Sequence, residues 1–414
     1  MCRKVPDMSL SAPMSPVARV RLTRRGVLAL PALAGAGMVL AGCGVLKKGD
    51  SDSSGQSSGA AASTKSSGAA SSHAAVATEP GPHGGVVLST EYDGHPLTVE
   101  VGPVAVKGKY TVARLHISTD SKKAVYFSQA FTADADFTAA DVRMMSLERS
   151  LVYPELARNK QEFQEPVTKK APKDVFTVFS ALSDGVTSVE MMLPNMGIAV
   201  GVPVVKESEV DFTIDDVIAK ANLVESDPGP FKLERATMSM DGAASPTASA
   251  GASSASAPDP EGPVGKGPEG VDVKVDGKTV HMVIDQVARV GEYLVGNVVL
   301  TSDDMVEIQA ASFTLPDTMK DARGLSGEFN VSSLTILSGG VRHLEADYAD
   351  SHGSRVPLAN PIVYALKSGV TQSLPVVWPD VGEDNITIDI PSGESRYAKE
   401  RIVARLTDVP VISA

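Results

Sequence analysis

The chain has 414 residues, with 38 basic and 50 acidic side chains, two cysteines and a formal net charge of −12. That balance lacks the basic footprint that phosphate backbones require, so nucleic acid is excluded as a partner class. It argues equally against a protein lying flat on anionic lipid.

Charge is unevenly distributed. Residues 1–25 carry Arg3, Lys4, Arg19, Arg21, Arg24 and Arg25 against Asp7 alone. Residues 26–42 then run 17 positions without a charge, interrupted by Pro31, Gly35 and Gly37. A basic region, a short apolar run and small residues at a cleavage point are the parts of an export signal. A membrane-spanning helix would need about 20 predominantly apolar residues, more than this Gly/Ala-rich run supplies.

Leu40-Ala41-Gly42-Cys43 closes the run and resembles the lipobox of bacterial lipoproteins. The resemblance implies that Cys43 receives a diacylglyceryl group, becomes the mature N-terminus and anchors the protein in the outer leaflet of the cytoplasmic membrane. Two acyl chains suffice for stable anchoring, at about 0.8 kcal/mol per buried CH2. Thr23-Arg24-Arg25-Gly26-Val27-Leu28 resembles a twin-arginine signal, with Val27 where that family usually has Phe, and both export routes stay open. Met8 and Met14 are alternative starts. Cys2 leaves with the signal, so the mature chain is expected to have no disulfide, no Cys-based metal site and a core held by burial alone. Removing residues 1–42 leaves 32 basic and 49 acidic residues, a charge of −17 that serves solubility.

Residues 43–82 form an expected disordered stalk of Ser, Ala and Gly, unable to bury enough apolar surface to offset ordering entropy. As a flexible coil it reaches roughly 35 Å. Residues 241–267 have the same character with more proline. Between and beyond lie two bodies of domain size, 83–240 and 268–414.

These bodies read as repeats. Aligning Gly94 with Gly277 brings Val104-Ala105 onto Val287-Ala288, Gly108 onto Gly291, Tyr110 onto Tyr293 and Val112 onto Val295. Further on, Ala181-Leu182-Ser183-Asp184-Gly185-Val186-Thr187 matches Ala365-Leu366-Lys367-Ser368-Gly369-Val370-Thr371 at five of seven positions. Pro194-Asn195-Met196-Gly197 then faces Pro379-Asp380-Val381-Gly382. Period-2 alternation such as Leu97, Val99, Val101 marks half-buried strands, with hairpin turns at Gly108 and Gly291 and another hairpin over 142–153. Residues 207–222 and 394–407 are the most ambiguous stretches, and either could hold a helical turn. The predicted fold class is all-β: two β-sandwiches in tandem, each folding separately.

The lipobox, the stalk and the Gly-Val-Thr strand start followed by an apolar-Pro-Asp/Asn-x-Gly turn resemble exported actinobacterial lipoproteins with tandem immunoglobulin-like β-sandwich domains. Some of those precede an OmpA-like peptidoglycan-binding domain, which is not found in this chain, so wall binding does not carry over. Cysteine landmarks of antibody-type domains are also absent.

Residues that carry chemistry are sparse, and no catalytic residue, metal ligand or cofactor is assigned. His343 and His352 bracket Asp347 and Asp350, too few converging ligands for zinc. Asp134, Asp136 and Asp141 lack the spacing and glycine of a calcium loop and read as solvated acids, as do Asp303-Asp304, Asp215-Asp216 and Glu383-Asp384. Gly55-Gln56-Ser57-Ser58-Gly59 matches an esterase pattern but lies in the stalk, away from any strand-to-helix turn. Trp378, aligned with Leu193, and Met191, Met192 and Met196 read as packing residues. The expectation is a non-catalytic surface lipoprotein whose modules dock another envelope protein or a wall polymer. The alternatives are a wall hydrolase using Asp347, Asp350 and His352, which would need two carboxylates at hydrolase separation, and a solute-binding lipoprotein, which would call for alternating β and α elements.

Overall fold

Alternating burial along Val86–Tyr92, with every second residue in the core, sets the pattern for a fold that is mostly β. The computed structural model describes residues 76–414 except 127–131, 135–137, 140, 157–160, 163–165, 222, 224–228, 241–256, 309–311, 327–329, 360–364, 397 and 399. The export segment, Arg24, Arg25, the lipobox with Cys43, and most of both linkers lie outside the described residues. Two large sheets and one two-stranded ribbon make up the β structure of the described residues.

One pairing scheme occurs twice. In the first copy Val86–Tyr92, His95–Lys107, Tyr110–Ser118 and Lys173–Ser180 pair in succession, all antiparallel. Val271–Val275, Lys278–Val283, Tyr293–Thr301 and Gln372–Pro379 repeat this order. The register repeats as well: Tyr110 faces Ser180 as Tyr293 faces Pro379. Asp93-Gly94 and Asp276-Gly277 make the first hairpin turn of each copy with both residues at positive φ, the type I′ geometry that suits strand twist.

The other layer repeats in the same way. Leu151–Pro154, Arg143–Ser146, Ser188–Leu193 and Gly197–Val205 pair in that order. Val341–His343, Thr335–Ser338, Asn385–Ile390 and Ala404–Ser413 do the same. Each copy bulges at the same place, between Val189 and Met191 and between Ile386 and Ile388. In each, one parallel pair joins the layers, Val204 to Val104 and Val411 to Val287.

These registers revise part of the repeat alignment. The strand after Thr187 pairs within the second layer, whereas the strand after Thr371 pairs with Tyr293–Thr301 in the first. The match of 181–187 to 365–371 therefore joins non-equivalent turns. The structural counterpart of Trp378 is Phe179, not Leu193, since Trp378 faces Leu294 as Phe179 faces Thr111. Gly201-Val202-Pro203-Val204 corresponds instead to Asp408-Val409-Pro410-Val411, and Gly201 and Asp408 both have positive φ.

Inside the first copy, Leu88, Val99, Leu115, Met144, Met191, Phe179 and Ala199 form the core between layers. The outer face of its second layer is also apolar. Met145, Val152, Met192, Ile198 and Leu233 join one continuous core with the second copy. Residues 69–414 accordingly form one compact unit. Strands Phe231–Glu234 and Thr237–Ser239, placed in the first body by sequence, cross over: the former pairs with Leu151–Pro154 and Asp347–Ala349, the latter with Val341–His343. At the junction Lys367 Nζ meets Asp93 Oδ1 at 2.6 Å, and Gln372 Nε2 donates to Asn195 Oδ1 at 3.1 Å.

Two short α-helices occur among the described residues. Ile214–Lys220, within the 207–222 stretch, covers the first copy through Ile214 and Val217 on Ala105, Val112 and Val178. Asp317–Arg323 has no sequence signal beyond Gly324, the left-handed residue that ends it. Among the described residues 394–407 hold no helix.

Candidate functional site

Asp347, which the wall-hydrolase alternative would use, sits on Asp347–Ala349 opposite Glu234. Its carboxylate is buried and receives Arg323 Nε and Nη2, both at 2.8 Å, and Arg355 Nη1 at 3.0 Å. Glu234 accepts from the same two arginines, at 3.1 Å from Arg323 and 2.6 Å from Arg355. Two acids and two bases balance, and the network ties the crossing strand to the second copy. Asp350 Oδ1 accepts the backbone N–H groups of His352 and Ser354 at 2.9 and 2.8 Å, and His352 is exposed. Asp347 and Asp350 are thus held by local structural partners, while the His352 side chain is exposed. Nearby Glu345 is buried; burial pushes its pKa well up, against the Ala359 N–H at 2.6 Å, and among the described residues Oε2 has no hydrogen-bond partner.

The more informative constellation was missed by sequence reasoning. Arg342, Asp389 and Arg405 lie on Val341–His343, Asn385–Ile390 and Ala404–Ser413 of the second copy, the first two separated by Thr335–Ser338, and are 3%, 5% and 8% exposed. Asp389 Oδ2 takes Arg342 Nη1 at 2.7 Å, and Oδ1 takes Arg405 Nε at 2.8 Å. Arg342 Nη1 also reaches Thr335 Oγ1 at 2.5 Å, and Arg405 Nη1 donates to the Pro258 carbonyl at 2.8 Å. One carboxylate between two guanidiniums leaves one net positive charge buried.

This triad floors a cavity of about 270 Å³, whose walls include Met240, Pro258, Met319 and Pro391. Its rim carries the exposed acids Asp259 and Glu261, the latter accepting the Ser392 N–H at 3.2 Å. The Nη2 groups of Arg342 and Arg405 make no hydrogen bond among the described residues, and Arg342 Nε is buried without a partner.

The first copy shows what the fold itself requires here. Strand registers make Val152 the counterpart of Arg342, Met192 of Asp389 and Ile198 of Arg405. All three are apolar, buried and packed on the second copy. A signal existed in the sequence, because Val-Pro-Val at 202–204 and 409–411 sets the register that exposes the substitution.

Other sequence-singled residues are structural. Trp378 is fully buried and its Nε1–H donates to the Leu334 carbonyl at 2.6 Å. Met191, Met192 and Met196 are core residues. Asp215 and Glu207 share Lys107, at 2.6 and 2.7 Å, and Asp136 lies outside the described residues. Among the described residues no group of three or more His, Cys, Asp and Glu is placed to hold a metal ion, and no helix is long and apolar enough to cross a membrane. No protein-family model matches the chain, and no curated protein matches it at significance.

Proposed function

We propose that this chain is a non-catalytic, lipid-anchored surface protein whose two immunoglobulin-like β-sandwich modules dock another component of the cell envelope. The lipobox at Leu40-Ala41-Gly42-Cys43 motivates the anchor and the 43–82 stalk the reach. One observation carries the docking: the outer face of the first module, through Met145, Val152, Met192 and Ile198, already binds a sandwich, namely the second module. The second module has the same scaffold, and its equivalent face bears the Arg342–Asp389–Arg405 cavity instead of a neighbouring module. Fold alone does not assign function; a face whose apolar docking residues are replaced by a charged cavity supports a different occupant.

In-cell crosslinking followed by mass spectrometry tests the reading. An envelope component should be enriched with the native chain over Cys43→Ala, which is released from the membrane. No enrichment would reject docking. Equal fatty-acid labelling of native chain and Cys43→Ala would reject the anchor.

A further inference from the structure

We infer that the cavity over Arg342, Asp389 and Arg405 is a carboxylate-binding site. This deepens the docking reading by naming what the second module's face recognises, and rests on that reading only for its biological source.

A buried triad of two arginines and one acid is commonly no more stable than well-packed apolar residues of similar volume, and replacing it is often neutral or stabilising. Here the chain contains that replacement: Val152, Met192 and Ile198 occupy the same positions of the same scaffold in the first copy. The scaffold thus accepts apolar residues at these positions, and the second copy carries a desolvated charge triad there instead. Its arginines are more than nine-tenths buried, its Nη2 groups make no hydrogen bond among the described residues, and it opens into a cavity rather than a packed interior.

Charge and shape select the ligand. One net positive charge is neutralised by one carboxylate, whose two oxygens suit the planar donor fork of a guanidinium. Asp389 fixes both arginines in place, so little ordering is required on binding. Asp259 and Glu261 at the rim disfavour a doubly charged phosphate and favour a ligand with a cationic group beyond its carboxylate. The terminal carboxylate of a protein chain and that of a wall peptide share this chemistry.

Saturation-transfer NMR on the full chain in detergent tests the inference, using acetate, glycylglycine and inorganic phosphate as probes. Acetate and glycylglycine should bind saturably and compete, glycylglycine more tightly, with phosphate weakest. The triple variant Arg342→Val, Asp389→Met, Arg405→Ile, which installs the first copy's residues, should lose carboxylate binding while melting at the same or a higher temperature. Loss of binding in Arg342→Gln, with its fold checked by circular dichroism, gives a second readout should the triple variant misfold. Absence of saturable carboxylate binding, tighter phosphate binding, or full binding by a folded triple variant would overturn the inference. These purified-protein results are independent of in-cell crosslinking, so failure of one reading is distinguishable from failure of the other.

Discussion

Replacing Glu190 with Gln should flatten the pH dependence of stability. Glu190 lies on Ser188–Leu193, is 5% exposed and accepts the Leu147 N–H at 3.0 Å. Burial pushes its pKa from 4.5 to about 7, outweighing the stabilisation of the anion by that hydrogen bond. The folded state therefore holds the proton more tightly than the unfolded chain. Stability from this group is fully present below about pH 4.5 and is lost as pH rises through about 7. A rise of that size corresponds to about 3 kcal/mol, most of it expressed between pH 5 and pH 8. Gln keeps the acceptor for Leu147 and cannot ionise. Urea unfolding followed by circular dichroism should show the native chain losing about 2–3 kcal/mol more than Glu190→Gln across that range. Glu345 shifts in the same direction and remains in both proteins, so only the difference between them is diagnostic. Parallel pH profiles would refute the reasoning.

Trp378→Ala should cost about 3–5 kcal/mol by emptying a fully buried site and orphaning the Leu334 carbonyl, measured by urea unfolding; Phe179→Ala, its counterpart, should cost a similar amount. Gly197→Ala should lower the melting temperature, because φ is +146° and the new Cβ would sit 2.8 Å from Asn297 Nδ2 across the junction of the copies. Arg323→Ala should destabilise by about 2 kcal/mol, since Asp347 stays buried with Arg355 as its remaining cation. Limited proteolysis within 241–267 should nick the chain yet leave the halves associated on a sizing column, because Met145, Val152, Met192 and Ile198 share a core with the second copy. Two separating fragments would show that this shared core does not hold the copies together.

The strands were legible because alternation reports half-buried surfaces: Leu97, Val99 and Val101 all fall in the core, and the turns at Gly108 and Gly291 join paired strands. The repeat was legible in its first half, where Tyr110 and Tyr293 hold equivalent registers. It was misread later because Ala181–Thr187 and Ala365–Thr371 resemble each other as turns, and turn chemistry is local, whereas equivalence in a sheet is a matter of partners. The same limit hid the site. Arg342, Asp389 and Arg405 are separated by 47 and 16 positions, and no spacing rule connects them. Their meaning appears only against Val152, Met192 and Ile198, once register pairs them. Helix Asp317–Arg323 escaped because nothing in its residues apart from the following Gly324 marks a helix.

If the second module's open face receives an envelope partner, as proposed, Val264 lies where that contact forms. Val264 is 51% exposed, while its counterpart Val76 packs against the shared core between the copies. A photo-crosslinking amino acid at position 264, activated in living cells, should form an adduct with an envelope component, and the adduct should disappear when Cys43 is changed to Ala. Irradiation that yields no adduct, or the same adduct from the released Cys43→Ala chain, would contradict the account.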